Sequence, residues 1–446
     1  MLLALSFHCE AEVDRAAYNP VIINPDDRVL IFAPHPDDEA IGTSGVIQRA
    51  LAAGSKVRVV CYTNGDNNEF AFIIYEKRLT FRKMEFIHMG EVRRQETLNA
   101  MGFLGLKPSD VVFLGYPDFG TMEILTKYWG KTVPFRSYLT RSTHVPYEQA
   151  LSYGAPYVGE SILKDIKSVI FDFKPNKIFV SHPGDGNRDH RALYLFLQVA
   201  LWDMDGAIKR PEIFPYIIHA GDWPKRRGYH PELMLTPPED FKGSLWQELL
   251  LSGGELQKKN AAIGFYKSQI ECDPPYLFTF ARKNELFGDL PVVELQRQHK
   301  TNPLRRIKEF FVYNRLIWQD LGFMGSASSL EYAVFDDDLL IQIDPKDSVN
   351  KEFGISIFLL GYSKQENFAK MPKIRVVIDK SGIRVRDKKE ILVSTGAEIS
   401  YYGKQLFVKI PLSVLGNPDY ILSCFMPQSN EFSLSDMSWR VLHISK

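Results

Sequence analysis

Several things are scarce in this sequence, and each scarcity removes a class of protein. Cysteine occurs only four times in 446 residues, at Cys9, Cys61, Cys272 and Cys424, with no C-x-x-C pair. No disulfide framework or redox pair follows from that spacing, and cysteine usage does not fix the compartment. Cys61 and Cys424 lie in apolar runs and read as small core residues. Net charge is absent too: 54 Lys and Arg balance 54 Asp and Glu. A nucleic acid or an anionic membrane as bulk electrostatic partner is therefore disfavoured. Clusters such as Lys225-Arg226-Arg227 and Arg305-Arg306 read as solvated faces or rim contacts. No apolar run approaches the ~20 residues of a membrane-spanning helix. No G-x-G-x-x-G follows the first buried strand, which argues against a nicotinamide cofactor. There is no Cys-Trp-Cys immunoglobulin pattern and no internal repeat.

What is present is concentrated between Arg28 and Gly42, RVLIFAPHPDDEAIG. Arg28 to Ala33 is a short apolar run, the pattern of a strand buried on both faces. It stops at Pro34-His35-Pro36. Asp37, Asp38 and Glu39 follow, and then a helical periodicity that ends at Gly54. In open α/β sheets the carboxyl end of a strand is where ligands bind. Adjacent acids there repel and desolvate badly without a compensating cation or donor. One explanation is helix capping by first-turn acids. His35 supplies another, because an imidazole and a carboxylate three residues apart on one loop suit a divalent metal such as zinc. A second carboxylate, free of the metal, then accepts a proton from water.

A third ligand must come from elsewhere. The stretch Ser181 to Leu193, SHPGDGNRDHRAL, repeats the strand–loop–helix pattern after the apolar run Lys177 to Val180. His190, which opens the helix, or His182 supplies that ligand.

The segments APHPDDEAIG and HPGDGNRDHRA together resemble the paired signatures of the PIG-L / LmbE-like zinc de-N-acetylases, which remove acetyl groups from N-acetylated amino sugars. The likeness continues in Thr63-Asn64-Gly65-Asp66, in Arg93-Arg94-Gln95-Glu96 and in Tyr116-Pro117-Asp118-Phe119-Gly120. It also includes Lys267-Ser268-Gln269 and the run Phe280 to Phe287, and so covers roughly the first two-thirds of the chain. The resemblance implies His35, Asp38 and His190 as Zn2+ ligands and Asp37 as general base. It implies Arg93 and Asp118 near the substrate. One departure stands out. Relatives often carry a histidine three residues before the last ligand, and here Asn187 stands in its place. Asn187 donates a hydrogen bond to an oxyanion but delivers no proton, which leaves that task to Asp37 or to another histidine such as His219. Asp189, beside the ligand, orients a neighbouring group.

The chain is too long for one ordinary core, so two domains are expected. Residues 1–20 read as an N-terminal segment: a signal remnant, which favours an extracytoplasmic location, or else a frayed N-terminus or an edge strand. Residues 21–290 read as the deacetylase-like domain, an α/β Rossmann-like and mostly parallel sheet with helices on both faces. Residues 291–308 read as a linker. From 309 to 446 short β runs dominate, such as GISIFLL, KIRVVID and YILSCFM, and predict an all-β sandwich. Two of its stretches weakly resemble family 9 carbohydrate-binding modules. Within the first domain, 120–159 is a long irregular stretch. Trp129, Phe135, Tyr138, Tyr147 and Tyr157 make it a sugar-stacking lid or, alternatively, a packed loop.

The expected activity is hydrolytic release of acetate from an N-acetylglucosamine-type glycoconjugate, using one Zn2+. The alternatives are a non-catalytic carbohydrate-binding protein and a zinc amidase acting on a sugar–thiol conjugate.

Overall fold

The computed structural model describes residues 18–67, 73–74, 82–130, 133–241, 244–298, 329–344, 354–402, 405–427 and 437–445. The N-terminal segment read as a signal remnant lies outside these residues except at its last positions. The first unit alternates strands and helices. β1 (Asn19–Pro20), β2 (Arg28–Ala33), α1 (Asp38–Ala53), β3 (Lys56–Thr63), α2 (Lys83–Leu104) and β4 (Val111–Tyr116) come first. α3 (Thr121–Lys127), α4 (Gly159–Phe173), β5 (Lys177–Ser181), α5 (Arg188–Asp203) and β6 (Glu212–Tyr216) follow. β7 (Leu245–Leu250), α6 (Gly253–Ile263) and β8 (Asn284–Asp289) complete it.

Five strands form a parallel sheet in the order β4-β3-β2-β5-β6. Their apolar runs are explained by burial on both faces. Leu30, Phe32, Val60, Tyr62, Ile178 and Val180 point into a core shared with α3, α4 and α5. The alternate residues Val29, Ile31, Val59, Cys61 and Phe179 point into a second core shared with α1, α2 and α6. Strand order reverses between β2 and β5. That is the switch point at which a doubly wound sheet opens a crevice.

The second unit contains β9 (Val293–Gln298), β10 (Ser329–Phe335), β11 (Asp338–Asp344), β12 (Ile355–Tyr362), β13 (Lys373–Asp379) and β14 (Gly382–Asp387). It ends with β15 (Glu390–Leu392), β16 (Glu398–Tyr402), β17 (Gln405–Pro411), β18 (Tyr420–Pro427) and β19 (Arg440–Ser445). They form one eleven-stranded sheet, in which β9 joins the two halves by pairing in parallel with both β19 and β10. Val293–Gln298, inside the stretch read as a linker, is thus a strand of this sheet. Residues 299–308 lie outside the described residues. A single core draws on both halves, with Tyr332, Leu339 and Ile341 from one and Ile357, Ile374 and Phe425 from the other.

The two units share hydrophobic core. Along β12, Ile355, Ile357 and Leu359 enter the all-β core. Leu360 and Tyr362, on the opposite face of the strand, enter the core of the first unit instead. β18 divides in the same way, with Ile421 and Phe425 on one side and Leu422 and Cys424 on the other. Trp202, near the end of α5, stacks on Tyr420 at 4.6 Å and meets Tyr362 at 5.0 Å. Period-two side-chain alternation lets one strand serve two cores.

The irregular stretch after α3 is a packed loop and not a lid. Of the five aromatics singled out there, Trp129, Phe135, Tyr147 and Tyr157 are buried in the first core and Tyr138 is exposed. Gly159, at the start of α4, lies so close to Trp129 that an added Cβ would sit 2.5 Å from the indole.

Because the seam is continuous core, the chain should unfold thermally as one transition. Trp202→Ala should lower its stability by about 3–5 kcal/mol, the range for deleting a buried aromatic. Calorimetry and denaturant titration of the two proteins measure this; two separate transitions in the wild type would contradict it.

Candidate active site

The crevice is built from the carboxyl ends of all five parallel strands. β2 leads to His35, Asp37 and Asp38, β3 to Asp66, β4 to Asp118, β5 to Asp185 and His190, and β6 to His219. Asp37 carries backbone strain, with a φ of 121° in the region that favours glycine, and Phe119 on the crevice wall has φ 57°. Its N–H donates to Glu39 Oε2 at 3.1 Å, and the Tyr266 hydroxyl donates to the other Glu39 oxygen. The third acid of the run therefore braces the turn, and the first two face the crevice.

Three atoms form its centre. His35 Nδ1 lies 3.3 Å from Asp38 Oδ2, His190 Nε2 lies 3.1 Å from the same oxygen, and the two ring nitrogens are 3.2 Å apart. A tetrahedral ion with bonds of ~2.0–2.1 Å separates its ligands by about 3.3 Å, so the donor set and its spacing fit zinc. The opposite nitrogen of each ring also meets a carboxylate. His35 Nε2 is 3.1 Å from Asp118 Oδ1, and His190 Nδ1 is 3.3 Å from Asp185 Oδ2. Such carboxylate–histidine pairs fix the ring orientation of metal-binding imidazoles.

The electrostatics agree with a cation at this centre. Burial works against the charge on Asp38, but His190 and His35 overcome it and hold its carboxyl far below the usual range. Burial also opposes charge on His190, yet Asp185 and Asp38 lift it to about 9. A divalent ion supplies the positive charge that protons on the two imidazoles would otherwise bring. Asp37 behaves differently. Burial, opposed by Arg93 and reinforced by Asp38 and Glu39, pushes it up to about 8.

The other residues singled out in the sequence fall into place around this centre. Arg93, buried on α2, donates to Gly65 O at 2.9 Å and Pro36 O at 2.7 Å, and its Nη2 lies 3.2 Å from Asp37 Oδ2. Gly65 has φ 63°, and an added Cβ would sit 1.9 Å from the Arg93 guanidinium. Asn187 is the N-cap of α5, where its Oδ1 accepts from Asp189 N at 2.8 Å. Asp189 accepts from Phe119 N at 2.5 Å and Thr121 N at 3.1 Å, and so ties down the loop that carries Asp118. Asp118, expected against substrate, both lines the crevice and backs His35. His182 is not available as a ligand. Its Nδ1 accepts from Gly184 N at 3.0 Å, its ring packs on Phe241 and Trp246, and burial pulls its pKa down to about 3.

Sequence reading assigned no role to Asp185, which proves central. One oxygen lies 3.3 Å from His190 Nδ1 and the other 3.0 Å from His219 Nδ1, and both backbone N–H groups of Ile218 and His219 donate to it. Its only signal was its place inside HPGDGNRDH. His219, offered by the sequence as an alternative proton donor, lines the crevice with Tyr276 and Gln269 in a cavity of about 230 Å³. The later motifs are braces: Glu96 accepts from Ser268 N at 2.8 Å, and Glu285 pairs with the buried Lys259 at 2.8 Å.

The β unit reaches this site from behind. Trp439 N donates to Pro183 O at 3.1 Å, and Gly184 lies against Ser438 and Phe241.

Residues 30–201 match the sequence profile of the PIG-L family, GlcNAc-PI de-N-acetylase. No curated protein matches the chain. Among solved structures, N,N'-diacetylchitobiose deacetylase from Pyrococcus horikoshii is similar at 19% identity and TM-score 0.36, over 59% of this chain and 83% of that one. The A40926 pseudoaglycone deacetylase Dbv21 is similar at 18% identity and TM-score 0.37, over 59% and 96%. GalB, a 4-carboxy-2-hydroxymuconate hydratase from Pseudomonas putida, is similar at 16% identity and TM-score 0.34, over 59% and 97%.

The geometry predicts a graded response to substitution. His35→Ala and His190→Ala should lose most zinc binding, Asp118→Asn and Asp185→Asn should weaken it about 10–100-fold, and His182→Gln should leave it near wild type. Competitive zinc titration of the five variants tests this, and strong loss in His182→Gln would redraw the ligand set.

Proposed function

On the premise that residues 30–201 are a PIG-L family segment, we propose that the protein is a zinc-dependent hydrolase that removes the acetyl group from an N-acetylated amino sugar. The observation that carries this reading is the placement of Asp37. It is a buried carboxylate held by Arg93 immediately beside the His35–Asp38–His190 triad, within the matched residues. Fold likeness alone carries no activity, since one fold hosts unrelated chemistries.

Water and the acetamide combine to give acetate and the free amine. Zinc at the triad would polarise the acetamide carbonyl and lower the pKa of a water. Arg93 faces Asp37 Oδ2, which leaves Oδ1 to take the proton from the attacking water. Asn187 commits its Oδ1 to the cap of α5, so its Nδ2 serves as the donor to the carbonyl oxygen as negative charge builds there. The leaving nitrogen needs a proton. Asp185 holds His219 by Nδ1, and the free Nε2 delivers that proton from the crevice wall. This pairing takes over the work of the histidine that relatives often carry at the position of Asn187. Glycoconjugates of N-acetylglucosamine are the substrate class that fits this chemistry and the family match.

Screening acetate release across N-acetylated sugars with the zinc-loaded protein tests the proposal. Absence of acetate with every substrate would refute it. Asp37→Asn should keep zinc and lower kcat by roughly 100-fold or more, the scale of a lost general base. His219→Ala should lower kcat while leaving zinc content unchanged. If kcat survives that change intact, Asp37 both removes and returns the proton.

A further inference from the structure

A second cavity, of about 320 Å³, opens where the two units meet. The far end of α3 forms one wall, with Glu123, Thr126 and Tyr128, and β12–β14 form the other. Its lining is strongly basic: Lys127, Lys373, Arg375, Arg386, Lys388 and Lys389. The single acid, Glu123, already pairs with Lys127 at 3.2 Å. Among the described residues, none of the other cations makes a close ion pair, although Asp387 and Glu160 act on Lys373 from a distance. In a chain of zero net charge, that is a local concentration of unneutralised cations inside a concave surface.

Donors in the guanidinium walls are also unspent. Lys373, 2% exposed, frames the cleft: its Nζ donates to Phe368 O at 2.5 Å and Met371 O at 2.8 Å and sits 3.8 Å over the Phe368 ring, and burial with the nearby Lys388 holds its pKa well below the usual lysine range. Arg386 Nε is buried without an acceptor. Arg375 gives Nε and Nη2 to Ser356 Oγ, at 3.2 Å and 2.9 Å, which leaves its Nη1 side open. A donor buried in the wall without a partner, as Arg386 Nε is, calls for an acceptor from outside.

The cavity is close to the active site. α3 begins beside Asp118 and ends in the basic cleft, and its seven residues span roughly 10 Å at ~1.5 Å per residue. Arg188 follows Asn187 on the rim of the active-site crevice, and its charge, with burial and Arg386, acts on Arg375 in the cleft. The two cavities thus lie towards opposite ends of α3, which spans roughly 10 Å.

We propose that this cleft binds the acidic groups of a charged glycan, a sulfate, phosphate or uronate carried on a sugar unit next to the one that enters the active site. The link to substrate rests on the deacetylase reading; anion binding by the cleft does not. A concave cleft of about 320 Å³ admits a saccharide ring but neither a bilayer nor a duplex, which call for an extended basic face. Tyr128 and Phe358 add aromatic walls, with Lys389 held 3.9 Å over the Tyr128 ring.

Calorimetric titration of the full chain with four probes tests the proposal: a heparin-derived tetrasaccharide, the neutral tetrasaccharide of N-acetylglucosamine, sodium sulfate and a DNA oligonucleotide. The heparin fragment should bind at least tenfold more tightly than any of the others. Arg386→Gln with Lys389→Gln should weaken it at least tenfold with unchanged melting temperature, and exposed Lys389→Gln alone should weaken it less. Acetate release from free N-acetylglucosamine should be the same in wild type and double variant. Equal affinity for the neutral tetrasaccharide, equal affinity for sulfate, equal affinity for a DNA oligonucleotide, or undiminished heparin binding by both variants would each overturn the proposal. If no substrate yields acetate but heparin binding behaves as expected, the deacetylase reading falls and the anion site stands.

Discussion

Buried negative charge at the strand ends is the constraint on which this structure depends. Asp37, Asp38, Asp118, Asp185 and Asp189 are all buried around two imidazoles. Carboxylates so placed are tolerable only where each is paired or hydrogen-bonded. The surrounding architecture answers that demand. Arg93 crosses from α2 to Asp37, Thr121 and Phe119 donate to Asp189, and the backbone after β6 donates to Asp185. The pairing leaves the triad of His35, Asp38 and His190 as the place where a cation fits.

The same demand explains why motifs far from the chemistry belong to the site. Glu39 holds the strained turn of Asp37 through Tyr266, and Gly65 makes room for the Arg93 guanidinium. Glu96 ties α2 to Ser268, and Glu285 receives the N–H groups of Gly45 and Val46 inside α1. None of these touches the crevice centre. Each fixes an element that does, which is how a fold keeps reacting groups in register.

Much of this was legible in the residues. The apolar runs ending in His35-Pro36-Asp37-Asp38 and in the His190 loop identify strands of a parallel sheet and the loops at its switch point. What was not legible depends on contacts between distant segments. Its place at the helix start favoured His190 over His182, but only Phe241 and Trp246, brought from later in the chain, show His182 to be packing. The aromatic residues between α3 and α4 carry the composition of a sugar-binding lid, yet tertiary packing buries Trp129, Phe135, Tyr147 and Tyr157. Asp185 looked like one more loop acid, because its role arises where β5 and β6 lie side by side. The basic cleft was invisible for a similar reason: Lys127 and Arg386 are far apart in sequence and meet only across the seam.

The strands that serve two cores bear on how such a chain changes over generations. Successive residues of β12 and β18 answer to different neighbours, so a volume change at Leu360 or Leu422 must be absorbed by the α5 side and one at Ile357 or Phe425 by the opposite β half. The all-β unit therefore cannot be exchanged like a tethered accessory module. Its alternate positions would have to be refitted against Trp129 and Trp202 first, and descent would carry the two units together as one block.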